Sequence, residues 1–352
     1  MIRITEPFFS DEEKEAVLEV MESHRLTRGV WTETFQEEFA RLVGVENCFT
    51  VCSGTVALFI ALKALGIDKG DRVIVPAMSF MATIDAVYLA CGEPVVIDVD
   101  EYYTMDLGQL EDAVKKYKPK AVVPVHLYGC MADMEGIMEL ADRYGFYVVE
   151  DAAQSHGAHL GGRKAGAWGH IGAFSFYASK NVPMGEGGAL TTDDPKIAKE
   201  IRKWIDFGDH PAFNVRITEF QAAIGTLQLR KLEKRNERRR EIARRYSEEL
   251  GKKFSVPKER PGSYHVYHLY TLRHEDRDRI VKELRDRGID ARVYYTYLLH
   301  EIRGSERMPT PRAEKYRREV FSVPVHPFLK DDEVELVVDT LLRYVPSGKI
   351  VP

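Results

Sequence analysis

Lys180 closes the run Phe174-Ser175-Phe176-Tyr177-Ala178-Ser179-Lys180 and is followed by the glycine-rich Gly185-Glu186-Gly187-Gly188. A lysine set against apolar and cationic surroundings has a partly neutral amine, the form that condenses with an aldehyde to a Schiff base. Upstream, Asp151 in Glu150-Asp151-Ala152-Ala153-Gln154 follows the apolar run Tyr147–Glu150 and offers a carboxylate at its tip. Ser53-Gly54-Thr55 stands between the run Cys48–Val51 and a stretch of helical period. Backbone N–H groups at such a helix start face an anion, and Thr55 adds a hydroxyl. Phe80, directly after RVIVP, presents a flat face for stacking. Each piece has an ordinary alternative: a turn and cap, a helix-capping aspartate, a surface lysine, a core phenylalanine. Jointly they are an amine for an aldehyde, an acid for a pyridine nitrogen, a phosphate cradle and a stacking ring, which is what a cofactor carrying those three groups requires.

The elements that must position them read as an α/β protein. Arg72–Pro76, Pro94–Val99, Ala121–Val125 and Tyr147–Glu150 are short β-branched runs separated by segments of helical period, the pattern of a mostly parallel sheet covered by helices. Thr55–Leu65, Ala82–Ala90 and Asp106–Tyr117 are the expected helices, the last capped by Asp106 and stopped before Pro119. Ala173–Phe176 and Ala189–Thr192 flank MGEGG as two strands of a hairpin with a functional tip. Thr218–Leu250 is one long helix or two in tandem, and the charged part, KRNERRREIARRYSEEL, has glutamates interleaved at helical spacing and reads as a solvated face. After it comes the linker-like GKKFSVPKERPG, then a second α/β pattern from Tyr264, so domains of 1–250 and 251–352 are expected.

The chain has 352 residues and a formal net charge of −5, which gives no reason to expect nucleic acid or an anionic membrane as partner. No stretch approaches the about 20 apolar residues of a spanning helix, the start does not resemble a signal peptide, and a cytoplasmic protein is expected. Cys48, Cys52, Cys91 and Cys130 contain no Cys-x-x-Cys pair and read as small buried hydrophobes. Asp98, Asp100, His126, Asp151, His156 and His159 lack compact ligand spacing, so no metal is expected. A dinucleotide fold would need a Gly-x-Gly-x-x-Gly that is absent.

LTRG (26–29), SGTVAL (53–58), SFMATIDAV (79–87), PVHLYG (124–129), EDAAQSHGA (150–158), FSFYASKNVPMGEGG (174–188), NVRITEFQAAIG (214–225) and RREVFSVPVHPFL (317–329) occur in this order. Through them the sequence resembles the DegT/DnrJ/EryC1/StrS family of sugar aminotransferases across nearly its whole length. The resemblance implies a PLP-dependent transferase of fold type I, aspartate-aminotransferase-like. Its large domain would hold a mostly parallel seven-stranded sheet beside a smaller C-terminal α/β domain, in a homodimer with active sites at the subunit interface. It also implies residue roles. Lys180 would hold pyridoxal 5′-phosphate, Asp151 pair with the pyridine nitrogen, Gln154 approach the ring hydroxyl and Phe80 stack on the ring. Gly54, Thr55 and Ser175 would hold the phosphate, with Asn214 reaching in from the neighbouring subunit. The stretch DFGDHPAFN before Asn214 is shorter than in many members.

By the same resemblance the activity is transfer of an amino group from an amino acid, L-glutamate, to a keto-sugar nucleotide, with the cofactor cycling through pyridoxamine 5′-phosphate. Polysaccharide biosynthesis is one setting for such an enzyme. The GEGG loop looks more like members acting on 4-keto than on 3-keto sugars. Alternatives are a sugar dehydratase, which would have histidine in place of Lys180, and a non-catalytic regulatory member. Tyr294, Tyr295, Tyr297 and His300 stand in a segment resembling one that lines the substrate entrance and are left outside the catalytic set.

Overall fold

In a computed structural model, residues 1–207 and 212–344 are described. The large sheet has the order Asn47–Val51, Gly188–Thr192, Ile171–Ser175, Tyr147–Asp151, Ala121–Val122, Arg72–Pro76, Glu93–Ile97, Glu306–Arg307. Gly188–Thr192 runs antiparallel to both its neighbours, and the remaining pairs are parallel. Seven of these strands come from residues 47–192, within the part of the chain expected to form the large domain. The expectation of seven in all is corrected to eight, because Glu306–Arg307 extends the sheet at the free edge of Glu93–Ile97.

Local chemistry accounts for the elements. The parallel strands are buried on both faces, which is why they read as unbroken apolar runs. Ser53 caps Gly54–Ala64 by accepting from the Val56 N–H, and Asp106 caps Leu107–Tyr117 by accepting from the Gln109 N–H. The run AVVPV forms a shorter strand than expected, Ala121–Val122, because Pro124 has no N–H to give to the ladder. Its carbonyl still accepts from the Asp151 N–H at 2.9 Å, and the His126 N–H donates to the Asp151 carbonyl at 3.1 Å. Asp151 is therefore pinned through both backbone groups at the end of its strand.

The tandem arrangement holds for the long helical stretch: Glu219–Arg230 and Leu232–Leu250 abut at Lys231. The charged helix is not simply solvated. Asn236 and Arg239 are buried in phase with Ile242, Ala243, Tyr246 and Leu250. These four apolar residues join Tyr270–Arg273, Val320–Val323 and Asp331–Arg343 in the C-terminal core. Of the cysteines, Cys48 and Cys130 are buried as expected, whereas Cys52 is intermediate and Cys91 exposed. Among the described residues no helix is long and apolar enough to cross a membrane.

Candidate active site

Successive residues of a strand face opposite sides of the sheet, and Glu150 and Asp151 divide accordingly. Glu150 turns to a structural task. It accepts from the N–H groups of Gly166, Trp168 and Gly169 at 2.7–2.9 Å and meets His126 Nε2 at 2.9 Å. Asp151 turns the other way, where Thr83 Oγ1 donates to its Oδ2 at 2.8 Å and the Ala153 N–H to its Oδ1 at 3.3 Å. Burial pushes its carboxyl pKa up, against the pull of the Thr83 and Ala153 hydrogen bonds and of the Lys180 charge.

Lys180 lies in the connection between the antiparallel strands Ile171–Ser175 and Gly188–Thr192. That loop is closed by Phe176 N–H to Gly187 O at 2.8 Å, Met184 N–H to Phe176 O at 2.9 Å and Lys180 N–H to Tyr177 O at 2.8 Å. The side chain is partly accessible, but its amine is enclosed by protein, and desolvation lowers its pKa to about 8 while Asp151 opposes the shift. At neutral pH an appreciable part of this amine is unprotonated, as nucleophilic attack on a carbonyl demands.

The candidate anion cradle forms where the helix Gly54–Ala64 meets the end of the strand Ile171–Ser175. A Cβ on Gly54 would stand 2.7 Å from Ser175 Cβ, and a Cβ on Gly188 would stand 2.4 Å from the Ser53 carbonyl oxygen. Only glycine permits this approach, which brings the Ser175 hydroxyl beside the orphan N–H groups of the helix's first turn. Thr55 is the next residue of that turn.

Gln154 is buried, accepting from the Tyr128 N–H at 2.7 Å and donating to the Tyr295 hydroxyl at 3.1 Å. Phe80 is 49 % exposed, its ring centroid 6.1 Å from that of Tyr295, and Thr83, three residues on, reaches Asp151. Thr83 thus ties Asp151 to the Phe80 segment, Tyr295 ties Gln154 to Phe80, and the Lys180 amine is close enough to Asp151 for each charge to act on the other, while Gly54, Thr55 and Ser175 form a second group at the neighbouring strand end. Asn214 is not drawn into either group within one chain: it is exposed, next to Val215, whose carbonyl accepts from the Cys52 N–H. Residues 208–211, inside the DFGDHPAFN stretch, lie outside the described residues.

Thr83 and Tyr295 were not in the expected site. Thr83 stands within SFMATIDAV and Tyr295 within the aromatic segment, so both signals were present, but the pairing of Tyr295 with Gln154 is a product of tertiary folding.

Residues 8–342 match the DegT/DnrJ/EryC1/StrS aminotransferase family. The chain belongs to that family. It is 37% identical over 345 residues to dTDP-3-amino-3,4,6-trideoxy-alpha-D-glucose transaminase of Streptomyces venezuelae, covering 94% of this chain and 91% of the relative. It is 36% identical over 321 residues to a UDP-N-acetyl-3-dehydro-alpha-D-glucosamine 3-aminotransferase of Acidithiobacillus ferrooxidans, covering 88% of this chain and 87% of the relative. Among solved structures it is similar to S. venezuelae DesV in complex with a ketimine intermediate, with a TM-score of 0.90, 36% identity and coverage of 94% and 93%. As a member of the DegT/DnrJ/EryC1/StrS family this chain is an aminotransferase with the type I transferase fold.

Proposed function

We propose that this aminotransferase uses pyridoxal 5′-phosphate to move an amino group from L-glutamate to a keto-sugar nucleotide. The observation that carries the reading is the buried pair formed by the Lys180 amine, lowered to about 8, and the raised Asp151 carboxyl at the end of the central sheet. The cofactor fits the residues present. A buried carboxyl whose nearby cation is a weakened lysine suits a protonated pyridine nitrogen. The Gly54-Thr55 helix start with Ser175 suits a phosphate, and Phe80 has an open face for the ring. When bound, pyridoxal phosphate supplies the electron sink that acidifies the donor's Cα–H.

The protein's own residues then have distinct tasks. Lys180 would hold the cofactor through its amine, and the same amine would act as acid and base toward the donor Cα–H. Asp151 would keep the ring nitrogen protonated, and Thr83 fixes the carboxylate that would do so. Gln154, held by Tyr128 and Tyr295, would orient the ring hydroxyl with its remaining N–H or lone pair. Asn214, exposed in one chain, is available to a second copy, and a homodimer with shared sites belongs to this reading. So does a cytoplasmic setting, to which four free cysteines are suited.

For the position of the acceptor ketone, the GEGG loop favours C4, whereas both relatives described above are named for amination at C3. Similarity over about nine tenths of the chain outweighs one four-residue loop, and a 3-keto sugar is the acceptor we adopt. The test is the visible absorbance of the protein with pyridoxal phosphate before and after L-glutamate, followed by turnover with 3-keto and 4-keto sugar nucleotides. Bleaching by glutamate and recovery with the 3-keto compound is expected. Recovery with the 4-keto compound alone reverses the regiochemistry, and no bleaching by any amino acid sinks the aminotransferase reading of this site.

A further inference from the structure

Two buried side-chain amides join the loop that carries Lys180 to the loop that begins at Asp151. Asn181 Nδ2 donates to Asn236 Oδ1 at 3.0 Å, and Asn236 Nδ2 donates onward to the His156 carbonyl at 2.9 Å. Asn236 is buried and comes from a third place in the chain, the helix Leu232–Leu250. Asn181 Nδ2 also donates to the Val266 carbonyl at 3.4 Å, and its Oδ1 meets His268 Nδ1 at 3.3 Å. Gly157 lets the His156 carbonyl come this close: its φ is +82°, and a Cβ there would stand 3.0 Å from Asn236 Nδ2.

Asparagine is a poor residue for the inside of a helix and for a core, because its amide competes for backbone hydrogen bonds and must be stripped of water. Replacing both members of a buried hydrogen-bonded pair by apolar groups of the same shape is nearly neutral or stabilising, so stability alone does not account for these two amides. What a satisfied buried network supplies is fixed geometry. Apolar contact would let the two loops slide, whereas two N–H···O bonds in series set their separation. Lys180 directly precedes Asn181, and its own N–H is tied to the Tyr177 carbonyl at 2.8 Å. On the other side, Asp151 and Gln154 precede His156 in one short loop. The bridge is also electrically quiet. Burial, and then the Lys180 charge, push His156 down to about 3 and His268 far below its ordinary value. The bridge therefore brings no acid to the amine, and Asp151 is the carboxylate that opposes its lowered pKa.

We propose that Asn236, acting through Asn181 and the His156 carbonyl, is a positioning residue for amino transfer that sets the Lys180 amine against Asp151 and Gln154. The inference rests on the aminotransferase reading, in which one lysine must both hold the cofactor and reach the donor Cα–H. Asn236 touches neither cofactor nor substrate in this assignment. A misplacement of about 1 Å at a reacting group can cost about a hundredfold in rate. Loss of the bridge is therefore felt in the rate of the chemical step and in the state of the lysine, and not in the affinity for the amino donor.

The experiment compares wild type with Asn236→Leu, which is close in shape and lacks the amide. In holoenzyme the maximal rate of the L-glutamate half-reaction, followed as bleaching of the visible band, is expected to fall about tenfold or more, with the half-saturating glutamate concentration within about twofold of wild type. In cofactor-free protein, reductive methylation by formaldehyde and cyanoborohydride, scored on the Lys180 peptide by mass spectrometry, reads the amine directly. Its pH midpoint is expected near 8 in wild type and displaced toward the ordinary 10.5 in the variant, as the released amine gains solvent. Asn181→Leu cuts the same bridge and should show both changes, and adding Asn236→Leu to it should change little more. A smaller fall in rate, a change confined to the half-saturating concentration, or a rate loss with unaltered Lys180 labelling overturns the proposal. A wild type without any half-reaction removes the aminotransferase reading, while the labelling comparison in cofactor-free protein still decides whether Asn236 positions Lys180. Should Asn236→Leu melt far below wild type, Asn181→Leu is judged by the same two readouts from the other end of the bridge.

Discussion

Gln154 and Tyr295, 141 residues apart in sequence, are joined by a hydrogen bond in which the amide Nε2 donates to the phenolic oxygen at 3.1 Å. Tyr128, on the far side, donates its N–H to the same amide and its hydroxyl to the Tyr294 carbonyl. The amide is therefore clamped between a turn that follows the sheet and a segment from the C-terminal part of the chain. Burial of the Tyr295 phenol holds it protonated well beyond neutral pH, so the clamp persists across the working range.

Tyr295→Phe leaves the ring beside Phe80 and removes only the acceptor. The loss of one hydrogen bond of about 1 kcal/mol is expected to lower kcat/KM about fivefold. Gln154→Ala combined with Tyr295→Phe should cost little more than Gln154→Ala alone, because both act through one amide. Steady-state rates of the four proteins check this, and full additivity would show that Tyr295 acts by another route.

Thr83 donates to the Asp151 carboxylate, and that bond opposes the rise in pKa produced by burial. Removing the donor in Thr83→Val lets the pKa rise further. If ionised Asp151 is needed for transfer, the acidic limb of the kcat/KM profile moves to higher pH, and Thr83→Ser restores it. A Thr83→Val profile superimposable on wild type would detach Asp151 ionisation from catalysis.

Much of this site is visible in the chain. The strand ends that carry Asp151 and Ser175, and the helix start at Gly54, lie within one or two residues of their expected places, because continuous apolar runs and capping side chains are local signals. The burial of Arg239, on the helix behind the site, was hidden for the opposite reason. In the run Arg238-Arg239-Arg240 three identical charges mask the periodicity, and only the middle one turns inward. Its phase with Ile242, Tyr246 and Leu250 was the signal that singles it out. The Glu306–Arg307 strand, two charged and exposed residues, has no strand pattern of its own and forms because the edge of Glu93–Ile97 offers partners.

Lys180 makes the fold's stability depend on pH in a definite direction. In the native protein without cofactor its amine titrates at about 8, against an ordinary value of 10.5. Between those values the unfolded chain holds a proton that the native chain has released, so stability rises as pH rises through that window. Below it the buried cation is a full burden. Lys180→Met removes that burden, although Asp151 loses a favourable neighbour. The cofactor-free variant is expected to be more stable than wild type at pH 7 by about 1–2 kcal/mol, with the gap closing toward pH 10. Denaturant melts at both pH values test this, and a variant less stable at pH 7 would show that the lysine is well accommodated as a cation. In the same variant, bleaching by L-glutamate should be absent.

The close approach of Gly54 to Ser175 offers a double-mutant test of the cradle. Gly54→Ala puts a methyl 2.7 Å from Ser175 Cβ and 3.2 Å from its Cα, so the helix start must move away from the strand end. Overpacking of this kind costs about 1–3 kcal/mol, and the displaced N–H groups should also weaken binding of pyridoxal phosphate. Ser175→Gly removes the side-chain half of the clash but leaves the new methyl pressed against the strand backbone. The double variant should therefore regain part of the stability lost in Gly54→Ala and none of the cofactor affinity, since the hydroxyl is then missing. Thermal melts and cofactor titrations of the three variants separate the two effects. Recovery of cofactor affinity in the double variant would show that the Ser175 hydroxyl does not hold the phosphate.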